Sequence, residues 1–114
     1  MRNKKYQVVI AESAKRDVAE KKNYILEHFE YRQYAEDFSQ KMKKAISQLD
    51  TFPTGYAVTD FQYRGYKIYL KPQSGCLIFY TVVEETDTVT VLRILQSRMN
   101  WRYIIWNWIK KNKR

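Results

Sequence analysis

Hydrophobic positions change their period along the chain, and the changes mark out its elements. Residues 5–11 (KYQVVIA) are β-branched and aromatic over a short span, which predicts a strand. Ser13 offers a hydroxyl to an otherwise unpaired amide of a first helical turn and is the expected N-cap. Beyond it Ala14, Val18, Ile25 and Phe29 recur on one helical face, predicting a first helix with a single buried stripe. A second stripe, Ala35, Phe38, Met42, Ala45, Ile46 and Leu49, belongs to a helix expected from about Tyr34 to Thr51, with Lys41, Lys43 and Lys44 mostly off it. Pro53 ends this helix in the reading, because its ring removes a donor and disfavours helical geometry at the preceding residue. The two helices should pair as an antiparallel hairpin with its break near Glu30–Arg32.

From Phe61 the period becomes two. Tyr66, Ile68 and Leu70 alternate with Lys67, Tyr69 and Lys71, so one face of this strand is apolar and the other presents two amines flanking a phenol. Pro72–Gly75 supplies a turn. Residues 76–83 (CLIFYTVV) are apolar on both faces, as in a central strand covered on both sides. The acidic segment Glu84–Asp87 suits a second turn, and residues 88–95 (TVTVLRIL) form the last strand of an antiparallel meander. Trp101, Ile104, Ile105 and Trp108 then share a helical stripe ahead of the basic end. The expected class is α+β: a single domain over residues 1–114, ordered β-α-α-β-β-β(-α), with a helical hairpin on a small, largely antiparallel twisted sheet. Residues 101–114 are its C-terminal basic aromatic helix or tail. That stripe either packs on the sheet or is covered by a partner; lying on a membrane is a third reading, weakened by its short apolar face.

Composition agrees with one domain: 114 residues, 45% hydrophobic, with neither a repeat nor a Gly/Ser/Pro linker. Cys76, alone, can form neither an internal disulfide nor a zinc site and reads as a small buried hydrophobe. No signal-peptide pattern or membrane-length apolar run occurs, which makes the cytoplasm the expected location. No motif calls for a metal, a cofactor or a small-molecule ligand.

Charge changes the picture more. The chain carries 21 Lys and Arg against 12 Asp and Glu, a net +9, of which residues 62–114 account for +7. Such a surplus on a small domain draws an anionic partner. Arg64, Lys67, Tyr69, Lys71, Arg93 and Arg98 are the candidate nucleic-acid-binding residues, because cations hold phosphates while aromatic faces stack on bases. Lys67 and Lys71 also read simply as a solvated strand face that blunts edge pairing. Arg93, inside an apolar strand, needs a partner, either Glu84 or Glu85 or a carboxylate from another chain. Asp17, Glu20, Glu36 and Asp37 read as solvating residues on helix surfaces.

Five blocks in order carry a resemblance: the first strand with SAKRDVAEKKNYI, then AEDFSQKMKKAISQLDTFP, RGYKIYL, GCLIFYTV and VTVLRILQSRMNW. Across about residues 6–101 the chain resembles the RelE/ParE superfamily of bacterial toxin–antitoxin toxins, some of which stabilise plasmids. The resemblance implies a growth-inhibiting toxin wrapped by a cognate acidic antitoxin, the pair repressing its own operon. It leaves two targets open. RelE-like members cleave mRNA on the ribosome as endoribonucleases (mRNA interferases), whereas ParE-like members lack that activity and poison DNA gyrase.

Cleavage through a ribose hydroxyl needs a base, positive charge on the phosphate and a proton for the leaving oxygen. His28, the only histidine, falls on the first helix and reads as a surface residue. Crowded amines could replace it, because neighbouring positive charges favour loss of one proton. By resemblance Lys67 corresponds to a catalytic lysine, Arg98 to a phosphate-stabilising arginine and Tyr103, one residue out of register, to a tyrosine of RelE-like enzymes. Tyr69 and Leu77, however, stand where those enzymes carry cations, and the GCLIFY and LRILQSR blocks are closer to ParE-like sequences. Lys67, Lys71 and Arg98 as a cationic set favour mRNA cleavage; gyrase inhibition stands beside it. A non-toxic nucleic-acid-binding module is the third reading.

Overall fold

The computed structural model describes residues 4–113. Strand β1 (Gln7–Ile10) leads into the helices α1 (Glu12–His28) and α2 (Gln33–Ser47). Four strands follow, β2 (Ala57–Tyr63), β3 (Tyr66–Gln73), β4 (Cys76–Val83) and β5 (Thr88–Gln96), and the helix α3 (Trp101–Lys111) closes the chain. They form one five-stranded sheet in the order β1-β5-β4-β3-β2, antiparallel except where β1 runs parallel to β5. The α+β class and the hairpin-on-sheet arrangement hold, with β2 added to the expected order.

That extra strand comes from a tight turn. Arg64 and Gly65 both have positive φ, 55° and 85°, between the paired residues Tyr63 and Tyr66. Positive φ at both centres of a two-residue connection is the turn whose twist matches that of paired strands. Ser74 and Gly75 repeat it between β3 and β4 at 52° and 74°.

The sheet is covered on both faces, and β4 lies at its centre, as its apolar sequence predicts. On one face the hairpin packs Ala14, Ile25, Ala35, Phe38, Met42, Ala45, Ile46 and Leu49 against Ile78, Tyr80, Val82, Val89 and Val91. Burying each larger aliphatic or aromatic side chain here stabilises the fold by roughly 2 kcal/mol. On the other face α3 lays Ile105, Trp101, Ile104 and Trp108 over Ile68, Phe79, Leu92 and Leu95. The aromatic stripe of α3 thus packs on the sheet.

Local details differ from expectation for identifiable reasons. Helix α2 ends at Ser47 and a 3-10 turn over Gln48–Asp50 carries Leu49 inward, so the stripe outlasts the α-helix and Pro53 lies further on. Phe29 caps the end of α1 and is 51% exposed, because the chain has already turned out of helical geometry there. Ala11, not Ser13, is the N-cap of α1. Ser13 serves the sheet instead. Beyond Ile10 no strand pairs the β1-side edge of β5, and Ser13 Oγ donates to the Leu92 carbonyl (2.7 Å) while Asp17 Oδ2 accepts from the Ile94 amide (2.9 Å). Side chains of α1 thereby satisfy ladder groups that β1 leaves open.

Candidate functional site

Strand β3 carries three of the candidate residues, Lys67, Tyr69 and Lys71. Ile68 packs under α3 and Tyr69 against the hairpin core. Alternation then directs Lys67, Tyr69 and Lys71 to the hairpin side. The three residues meet different surroundings there. Lys67, toward the end of β3 that leads out of the Arg64–Gly65 turn, is exposed and in no ion pair among the described residues. Tyr69 stacks on Tyr80, ring centroids 5.5 Å apart. Lys71 is only 5% exposed, which overturns the open face expected for it. Its Nζ donates to the Ala45 carbonyl (2.9 Å) and Gln48 Oε1 (3.3 Å) and lies 5.1 Å from the Tyr56 ring centroid. An ammonium at a helix C-terminus meets both the unpaired carbonyls and the negative end of the dipole. Lys71 is therefore a helix-terminating contact.

Arg93 is likewise committed. Its Nε and Nη2 donate to Asp17 Oδ2 (2.7 Å) and Oδ1 (2.9 Å), a bidentate pair whose side chains are largely buried. The partner is neither Glu84 nor Glu85, which hold Lys4, Tyr6 and Tyr66 at the opposite end of β5. Asp17 is accordingly a structural carboxylate rather than a solvating one. Sequence reasoning missed it because a lone acidic residue on a helix gives no sign of what lies opposite.

Arg64 and Arg93 do come together. Both line a cleft of about 590 Å³ bounded by the start of α1 (Glu12, Arg16), the Arg64 turn, and Trp108 and Asn112 at the end of α3. Arg64 lies over the Tyr63 ring, 5.0 Å from its centroid, and Tyr63 Oη donates to the Asn112 carbonyl (3.2 Å). The cleft offers Arg16 and Arg64 as donors beside Glu12 and Glu20 as acceptors. Such a rim presents donors and acceptors side by side; it does not gather amines around a reacting phosphate.

Lys67 and Arg98, in contrast, stand far apart. Lys67 lies one residue from the Ile68–Thr81 pair, whereas Arg98 follows the pair Cys76–Gln96 at the other end of the strands. From Lys67 to Gln73, the residue paired with Cys76, β3 covers about 20 Å. Arg98 is exposed in the turn before α3, and Tyr103 is exposed on the outer side of α3, across the sheet from Lys67. The catalytic trio drawn from the sequence is not assembled. His28 is exposed in the last turn of α1, stacked on Tyr24 at 4.1 Å, with Nδ1 2.9 Å from the Tyr24 carbonyl. Cys76 is buried, and burial pushes its thiol up from the ordinary cysteine range. Among the described residues no group of three or more His, Cys, Asp or Glu is placed to hold a metal ion, and no helix is long and apolar enough to cross a membrane.

The profile of the ParE toxin of type II toxin–antitoxin systems (parDE) matches residues 8–101. The chain belongs to the ParE toxin family. It is a toxin of a type II toxin–antitoxin system. The match spans β1 through the first residue of α3. Among solved structures this ParE-family chain is similar to a chain of the chromosomal ParDE system from P. aeruginosa, with TM-score 0.63 at 12% identity, covering 80% of this chain and 95% of that one. It is also similar to a chain of the RelBE2 toxin–antitoxin complex from Mycobacterium tuberculosis, with TM-score 0.56 at 14% identity, covering 84% and 95%. These likenesses share the fold of the RelE/ParE superfamily. No protein of curated function matches the sequence.

Proposed function

We propose that this ParE-family toxin arrests growth in the cytoplasm by inhibiting DNA gyrase through surface contacts, without cleaving RNA. The observation that carries the reading is the dispersal of the cations. A histidine-free ribonuclease needs amines and guanidinium groups converging on one phosphate. Here Lys71 is committed to α2, Arg93 is neutralised by Asp17, and Lys67 and Arg98 stand at opposite ends of the strands. Tyr69 and Leu77 leave two further cationic positions empty. A protein that works by binding needs no such convergence.

The antitoxin belongs to the same proposal. An apolar groove of Ile10, Val18, Met42 and Ile46, rimmed by Lys15 and Lys43, fits an acidic amphipathic segment. The apolar floor takes one face of the segment while the lysines take its carboxylates.

Induced expression without antitoxin tests the target. The expected outcome is growth arrest with DNA-damage induction and intact transcripts, and loss of gyrase supercoiling when the purified chain is added. In-frame cuts on translated messages, abolished by Lys67→Ala with Arg98→Ala, would return the chain to ribosome-dependent cleavage. Cells that grow normally would leave a binding module.

A further inference from the structure

The outer side of α3 presents exposed aromatic rings and cations together. The inner stripe of the helix is used up against the sheet, where Ile105 is fully buried. What remains outside is aromatic and cationic together. Tyr103 (57% exposed) and Trp106 (45%) lie one turn apart with ring centroids 6.0 Å apart, and Lys110 Nζ stands 4.2 Å from the Trp106 ring centroid. Residues 98–113 add Arg98, Arg102, Lys111 and Lys113 and include no Asp or Glu. Among the described residues one carboxylate reaches this set: Asp60 pairs with Arg102 at 3.3 Å while both side chains are mostly in water. Such a pair opens at little cost.

Three kinds of anion could cover this surface, and its geometry separates them. A membrane-lying helix needs a broad apolar face to insert. With the inner stripe committed to the sheet, only two rings on an eleven-residue helix remain, flanked by Arg102 and Lys110. An acidic polypeptide would answer the charges but does not itself require exposed ring faces. A single nucleic-acid strand answers both features, since phosphates pair with cations while unpaired bases stack on aromatic faces. The helix, about 16 Å long, runs beside several phosphates at once.

We propose that the outer face of α3 binds single-stranded nucleic acid, with Trp106 and Tyr103 as stacking platforms and Arg98, Arg102 and Lys110 as phosphate contacts. Ring stacking and phosphate pairing do not distinguish ribose from deoxyribose, so DNA and RNA strands should bind alike. The proposal stands apart from the choice of target, because the strand contacts α3 directly and needs neither gyrase nor the ribosome.

The test is a fluorescence titration of the purified full chain with oligothymidylate, using intrinsic tryptophan emission, against duplex DNA of equal charge, polyglutamate and anionic phospholipid vesicles. Oligothymidylate should quench the emission and bind most tightly, with oligouridylate close behind. Trp106→Ala, which leaves charge unchanged and both cores intact, should weaken binding about tenfold. Arg102→Gln and Lys110→Gln should each lower the salt slope by about 0.7. Lys41→Gln with Lys44→Gln, a charge loss equal to that of Arg102→Gln and Lys110→Gln combined but on the distant outer face of α2, should leave affinity within about twofold of the parent. Unchanged affinity in Trp106→Ala, or an equal loss in the α2 control, overturns the proposal by reducing binding to net charge. Tighter binding to vesicles or polyglutamate overturns it in favour of a membrane or an acidic protein.

Discussion

Asp17 shows how much one side chain can hold. Its carboxylate pairs with Arg93 through two hydrogen bonds and accepts a third from the Ile94 amide. Removing it strands a guanidinium and a backbone donor in a largely dry place. Asp17→Ala should therefore cost about 3–5 kcal/mol in urea-unfolding experiments, and Asp17→Leu with Arg93→Met should recover only part of that loss, because the Ile94 amide stays unpaired. A loss below about 1 kcal/mol would mean that the pair behaves like an exposed one. Arg93 also marks the limit of reading side chains from sequence. That a charge within TVTVLRIL required a partner was legible; which carboxylate supplied it was not, because β5 could meet a turn, a helix or another chain. Lys71 is the same lesson reversed. Alternation put it correctly on the face of Lys67 and Tyr69, yet no local pattern records that the end of α2 lies over that part of the face.

The hairpin of β2 and β3 carries the lesson at the level of elements. The dipeptide Arg64–Gly65, set between FQY and YKIYL, was the available signal for a turn and hence for β2. It was obscured because asparagine or aspartate ordinarily precedes glycine there, and arginine in left-handed geometry carries strain. Arg64→Asn should relieve that strain. The lost contact with Tyr63 offsets part of the gain, leaving a net stabilisation of about 0.5 kcal/mol in thermal melts. A lower melting temperature would show that the Arg64–Tyr63 contact outweighs the strain. The helical hairpin, the acidic turn and central β4 were all legible, since each rests on period or turn chemistry within a single segment. The candidate site was less so. Its reading required Lys67, Arg98 and Tyr103 to converge, and convergence depends on strand direction and on which face α3 covers.

At the scale of the whole molecule, charge surrounds a doubly covered sheet, and the two ends of β5 are secured differently. At its start Lys4 bonds Glu84 and Asp87, and Tyr6 Oη donates to Glu84. The Lys4 ammonium, followed by the Tyr6 hydroxyl, holds the Glu84 carboxyl below the usual carboxylate range, and Glu84, followed by Asp87, holds Lys4 above the usual lysine range. A depressed carboxyl pKa contributes stability above its unfolded value of about 4.3, which is lost as the pH falls through the lower folded value. The raised lysine contributes below its unfolded value and fails only at strongly alkaline pH. Acid should therefore loosen β1 first. NMR titration should show the Glu84 carboxyl and the Tyr6 amide shifting together at acid pH, and independent transitions would separate β1 from this cluster. Further along, α1 stands in for a strand beside Leu92 and Ile94 through Ser13 and Asp17. The helical layer cannot lift from the sheet without uncovering an arginine and a strand amide in the same motion. Peeling α1 away thus has no inexpensive first step, and the Ile94 amide should exchange with solvent only when the whole molecule opens.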